Sequence, residues 1–277
     1  MDVFDNCPCA LGEGPLWHPT RKALFWFDIL GKTLHCKGAA RQSWTFDEYV
    51  SACGWVDEQT LLMASASGLW RFDVEGGSRD LVAPLEADNP ATRSNDGRAD
   101  PQGGFWIGTM GIKAEACAGA IYRYYRGEVR KLFDEITISN AICFAPDGRR
   151  AYFADTFSQR IQSVALDDAG WPDGTPEVFV DLRADGLNPD GAVIDANGNL
   201  WNAQWGAGRV ACYDPDGAFL RSIEVPASQT TCPAFGGPDG DTLFVTSAGH
   251  GAQDAQGGMT FSMDAGVSGQ QEHQVIL

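Results

Sequence analysis

Residues 145–156 read APDGRRAYFADT, a tight turn that runs directly into a short apolar strand. Pro146, Asp147 and Gly148 are turn residues, and the alanine and aromatic residues that follow fit a pleated, buried strand. The same turn-then-strand pattern recurs along the chain as HPTRKALFWFD (18–28), VDEQTLLMAS (56–65), ADPQGGFWIGT (99–109), DANGNLWNAQW (195–205) and GPDGDTLFVTS (237–247). The strands begin at Leu24, Leu61, Phe105, Ala151, Leu200 and Leu243, at steps of 37, 44, 46, 49 and 43 residues. A second strand follows most copies after a short break, as in KTLHCKG (32–38), GLWRFDV (68–74) and GAIYRYY (119–125). A period of about 40 to 50 residues built from short strands marks the blade of a β-propeller. Six copies fill the 277 residues, so the expected fold is all-β, a single six-bladed β-propeller over residues 1–277. No stretch shows helical periodicity. A β-sandwich, the main rival, would not need six equivalent units. The N-terminal MDVFDN is expected to add a strand to the last blade and close the ring.

Composition agrees with a large β core. Hydrophobic residues make up 44% and charged residues 21%, with 33 Gly, 14 Pro, nine Trp and fifteen Phe. The formal net charge of −17 argues against nucleic acid and anionic membranes as partners, because both need clustered Lys and Arg. No apolar run is long enough to span a membrane, and the N-terminus lacks a basic segment followed by an apolar one. The eight cysteines are scattered without zinc or redox spacing, so reduced thiols in a cytoplasmic protein are expected. The oligomeric state is left open, a monomer being compatible with the sequence.

Counting back 10 or 11 residues from each strand start gives Glu13, Asn95, Asn140 and Asp190 in blades one, three, four and five. Blades two and six give Val50 or Ser51 and Cys232 or Pro233, which do not look like ligands. Residues at one phase of a propeller repeat lie at one height around the axis. Two carboxylates and two amides converging there suit a hard or borderline divalent cation such as Ca²⁺, Mg²⁺ or Mn²⁺, with Zn²⁺ or Fe²⁺ less natural without His or Cys. Asn and Asp beside Gly are also ordinary turn residues. Glu13, set between two glycines, has no turn role.

LGEGPLW (11–17), RSNDGRADPQGGFWIGTM (93–110), ISNAICFAPDGRRAYFADT (138–156), NPDGAVIDANGNLW (188–201) and TCPAFGGPDGDTLFVTSA (231–248) together resemble the SMP-30/gluconolactonase/regucalcin-like family. The resemblance implies a six-bladed propeller with one divalent metal near its axis, held by Glu13, Asn140 and Asp190. It implies substrate contacts from Arg93 and Asn95, with a small sugar lactone as substrate. Some animal members place a sugar-contacting Glu after the equivalent of Thr109-Met110. Here Lys113 falls near that position, either meeting substrate or, the preferred reading, lying solvated on a loop. The reaction implied is metal-assisted opening of an aldonolactone to the aldonic acid, with Asp190 as candidate general base. No GxSxG elbow, histidine–nucleophile pair or phosphate loop is present. Two rivals stand beside this reading: an esterase or phosphotriesterase on the same scaffold, and a metal- or protein-binding propeller without catalysis.

Overall fold

The computed structural model describes residues 1–277. A first strand, β1 (Asp2–Asp5), precedes the blades. Blade one is β2 (Gly12–His18), β3 (Ala23–Asp28), β4 (Thr33–Lys37) and β5 (Arg41–Thr45). Blade two is β6 (Val50–Trp55), β7 (Thr60–Ser65), β8 (Gly68–Asp73) and β9 (Arg79–Pro84). Blade three is β10 (Thr92–Ala99), β11 (Phe105–Gly111), β12 (Gly119–Tyr125) and β13 (Glu128–Ile136). Blade four is β14 (Ser139–Phe144), β15 (Arg150–Asp155), β16 (Arg160–Ala165) and β17 (Glu177–Asp181). Blade five is β18 (Asn188–Ile194), β19 (Leu200–Trp205), β20 (Arg209–Tyr213) and β21 (Phe219–Glu224). Blade six joins β22 (Thr230–Gly236), β23 (Thr242–Ser247) and β24 (Thr260–Asp264) to β1, in the order β1-β24-β23-β22. The pairing of Asp2 with Ser262 and Val3 with Phe261 closes the six-bladed propeller, as the MDVFDN segment led one to expect. Closure completes the sixth four-stranded blade, so that only the outermost strand of each blade remains as an edge. The only helical segments are two single 3₁₀ turns, Thr156–Ser158 and Arg183–Asp185. No helix is long and apolar enough to cross a membrane.

The recurring strand of the sequence repeat is the second strand of each blade, not the innermost. Its residues are buried on both faces, because each blade packs against a neighbour on either side. Leu24, Phe25, Trp26 and Phe27 therefore form an uninterrupted apolar run with no exposed alternate. Phe25 and Phe27 pack toward blade two, whereas Leu24 and Trp26 pack toward Phe244 of blade six. Six hydrophobic clusters fill the six gaps between blades. Each fully buried Leu or Phe there contributes about 1.5–3 kcal/mol.

The turn aspartates of the repeat hold the turns themselves. Asp57 accepts from Gln59 N, Asp100 from Gln102 N and Gly104 N, Asp147 from Arg149 N, and Asp195 from Asn197 N and Asn199 N. In blade one His18 occupies this place. Its Nε2 lies 3.0 Å from Asp57 O, and burial holds the imidazole pKa below its usual 6.5. Neutral His18, protonated at Nε2, thus pins blade one to blade two. The unfolded chain takes up the proton first on acidification, so this contribution is present above about pH 6.5 and is lost as pH falls below it. Thermal melts between pH 7 and 5 should show a steeper loss of stability for the parent than for His18→Gln.

One element was not foreseen from the sequence. The C-terminal segment crosses the face of the ring at the far ends of the inner strands. Gly269 N donates to Gly240 O, Gln270 Nε2 to Phe144 O, Trp55 Nε1 to Glu272 O and Ile276 N to Gly103 O. Glu272 forms a mostly buried ion pair with Arg98, so that end of the axis is covered.

Candidate active site

All six innermost strands break register at the same height. The shifts fall between Glu13 and Leu16, Val50 and Ala52, Ser94 and Gly97, Asn140 and Cys143, Pro189 and Ala192, and Thr230 and Pro233. Such a β-bulge sets two residues opposite one and re-aims a side chain. Glu13 and Asn140 are the last paired residues before their bulges, while Asn95 and Asp190 are the first residues inside theirs. In a regular strand, neighbours one apart would face opposite ways. The bulge brings both positions to the axis, which is why counts of both 10 and 11 residues in the sequence lead there.

Glu13, Arg93, Asn95, Asn140 and Asp190 line one cavity of about 180 Å³, together with Thr156 and the apolar Leu11, Met110, Ile138 and Trp205. The five polar residues lie within strands β2, β10, β14 and β18 rather than in turns. Lys113 is not among the lining residues. It is exposed on the loop after β11, where its backbone N–H donates to Glu115 Oε2.

The amides are fixed by their neighbours. Thr156 spends its hydroxyl proton on Pro189 O at 2.7 Å and accepts from Asn140 Nδ2 at 2.8 Å. Asn140 must therefore present Oδ1 away from Thr156, where it meets Asn95 Nδ2 at 3.4 Å. Asn95 Nδ2 also donates to Ser139 O, and its Oδ1 accepts from Arg93 at 2.7 Å. The entry to β14 is pinned by Asp155, which accepts from Thr137 N and Ile138 N. Asp28 does the same before β2, accepting from Ala10 N and Leu11 N. Blades two and six complete the ring without carboxylates: Ser51 donates to Ser94 Oγ, and Thr231 to Gly12 O.

The two carboxyls are buried and neither has a salt-bridge partner. The one arginine lining the cavity, Arg93, directs its bonds to Ser94 O and Asn95 Oδ1 instead. Burial pushes the Glu13 carboxyl up to about 8, assisted by the charge of Asp96. Asp190 is raised well above the carboxylate range by burial and by the charges of Glu13 and Asp96. Burial lowers the Arg93 guanidinium to about 10, which leaves it charged at neutral pH. One guanidinium, with its hydrogen bonds directed elsewhere, does not balance two buried carboxylates, and the pair is costly unless it is protonated or bound to a metal.

The SMP-30/Gluconolactonase/LRE-like region model matches residues 11–249. This chain belongs to that family. A relative in Rhizobium meliloti, provisionally named a sugar lactone lactonase, is 42% identical over 280 residues, covering 98% of this chain and 95% of its own length. The L-arabinolactonase of Azospirillum brasilense is 34% identical over 253 residues, covering 88% of this chain and 83% of its own. The crystal structure of a calcium-binding protein, regucalcin, from Agrobacterium tumefaciens superposes with a TM-score of 0.97 at 43% identity, over 100% of this chain and 97% of that one. The motifs singled out in the sequence, from LGEGPLW to TCPAFGGPDGDTLFVTSA, fall within the matched residues.

Several residues that build the site escaped the sequence reading. Thr156 closes the quoted stretch APDGRRAYFADT, 16 residues after the Asn140 it orients. Asp96, the second residue of the β10 bulge, and the apolar walls, which lie outside the innermost strands, carried no phase signal.

Proposed function

We propose that the protein opens a sugar lactone to the open aldonic acid, with a divalent cation held by Glu13, Asp190 and Asn140. The observation that carries this reading is the pair of buried carboxylates, neither in a salt bridge, beside an amide oxygen held in a fixed orientation. No trio of His, Cys, Asp and Glu converges anywhere in the chain, so three donors are reached only by counting the Asn140 amide. An all-oxygen set of this kind suits Ca²⁺, Mg²⁺ or Mn²⁺ better than Zn²⁺ or Fe²⁺. A bound divalent cation supplies Lewis-acid polarisation of the lactone carbonyl and offsets the negative charge of the floor.

The chain's own groups do the rest. Arg93, anchored through Asn95, holds the lactone and faces the oxygen on which charge develops during attack. Asp190, in its ionised form, takes a proton from the attacking water at its carboxylate oxygen. The water oxygen bonds to the carbonyl carbon. Collapse of the tetrahedral species breaks the bond to the ring oxygen, which receives that proton and leaves as a hydroxyl. The surrounding apolar walls limit water to the reacting end. Eight free thiols, six of them buried, suit a reducing compartment, and we place the protein in the cytoplasm.

Proton release from a panel of aldonolactones, an aryl ester and a phosphotriester, assayed with the metal-loaded protein, tests the reading. The lactones should dominate. Preference for the phosphotriester would move the assignment to a different hydrolase on this scaffold, and no turnover beside tight metal binding would make it a binding propeller. Thr156→Val removes the group that orients Asn140 while keeping its shape. Calorimetric titration should show metal affinity about 10- to 100-fold weaker, with the fold unchanged.

A further inference from the structure

The cavity is divided by chemistry. Its floor holds every charged and amide group, and Thr156 beside them has both hydroxyl functions engaged. Its walls, Leu11, Met110, Ile138 and Trp205, offer one indole N–H and no side-chain acceptor stronger than the Met110 thioether. The apolar character continues outward. The chain exposes ten large apolar side chains, and seven of them lie on outermost strands or at the C-terminus. The other three lie close in the chain, or through one backbone hydrogen bond, to residues that line the cavity. Phe157, 74% exposed, follows Thr156, and Ile112, 38% exposed, follows two residues after Met110. Leu30, 41% exposed, follows Ile29, whose N–H donates to the Leu11 carbonyl. No Lys or Arg other than Arg93 lines the cavity.

A lactone with its carbonyl at the floor sends its far end against these walls. A hydroxyl there gives up water and finds no strong acceptor, whereas a methyl group gains burial. We propose that the site selects aldonolactones whose end remote from the carbonyl is a methyl group, that is deoxy sugar lactones, over those ending in hydroxymethyl or in an anionic group. This selectivity rests on the lactonase reading above.

The test is kcat/KM of the metal-loaded protein on three matched lactones: 6-deoxygalactonolactone, galactonolactone and the 6-sulfonated analogue. The methyl compound should lead the hydroxymethyl one by about 10- to 100-fold, and the sulfonate should be poorest. Met110→Gln keeps the side-chain length and adds a donor and an acceptor to the wall, and Ile138→Thr adds a hydroxyl. In either variant the ratio should fall toward unity. Because the ratio is internal to each protein, partial loss of folding does not mimic the effect. Equal rates, or a lead for the hydroxymethyl lactone, would overturn the proposal and leave lactonase activity standing. A lead that survives both variants would also overturn it, by placing the selectivity elsewhere. Failure to open any of the three or any simpler lactone would instead remove the lactonase reading, and this proposal with it.

Discussion

Asp190→Asn should lower kcat for lactone opening by about a thousandfold or more while leaving the protein folded. The substitution keeps size and shape. The backbone carbonyl of residue 190 still accepts from Asn202 Nδ2 at 2.9 Å, so the bulge of β18 stays anchored. What is lost is a group able to take a proton, and with it half of the negative charge that would hold a cation. General-base removal alone costs about 10²–10⁴ in rate. Relieving two crowded carboxyls of mutual repulsion should leave the metal-free variant at least as heat-resistant as the parent. The check is single-turnover lactone opening at saturating metal, beside a thermal melt. A variant within tenfold of the parent would show that Asp190 neither handles the proton nor holds the cation that matters.

Gly14→Ala should destabilise the chain by more than about 3 kcal/mol, although it adds only one methyl group beside Glu13, whose Oε2 accepts from Gly14 N at 3.1 Å. Gly14 has φ of 54°, in the left-handed region, and a Cβ built there meets Ser51 O at 2.3 Å and Phe27 Cδ2 at 3.1 Å. Backbone strain is the smaller part. Ala141, first inside the bulge of blade four as Gly14 is in blade one, carries φ of 58° with its methyl group accommodated. An alanine in that conformation costs about 1–2 kcal/mol and is tolerated there. The overlap with Ser51 O is another matter, because it sets backbone against backbone between β2 and β6 and neither strand can yield without opening the ring. Thermal melts should show a fall of about 6–12 °C for a domain of this size. A change under 2 °C would mean that blades one and two do not meet as closely as described.

The repeat could be read because each copy announces itself chemically. Pro, Asp, Asn and Gly mark the turn, and a run of residues buried on both faces marks the second strand. Glu13, Asn95, Asn140 and Asp190 could be found by counting, since the ring converts repeat phase into height along the axis. The count did not say why two adjacent phases should both face inward. That answer lies in bulges, whose irregular backbone leaves no residue signature in NDG, SNA or PDG distinct from a turn. Thr156 was hidden for a different reason. Its role depends on Pro189 O of the next blade taking its only proton, a contact between residues 33 apart. Lys113 sits near the mouth in sequence but on an exposed loop in space, because the chain after Met110 runs outward over Ile112 before returning as β12. The covering C-terminal segment, with Glu272 against Arg98 across 174 positions, has no periodicity to betray it.

The central claim is that the buried floor of Glu13, Asn140 and Asp190 holds a divalent cation on which lactone opening depends. The most direct test is proton release from one aldonolactone, using protein stripped by chelator and then refilled with single divalent metals, in parallel with Glu13→Ala. The account predicts no turnover without metal, full recovery with at least one oxygen-preferring cation, and no recovery in Glu13→Ala. Undiminished turnover by stripped protein, or by Glu13→Ala, would contradict it.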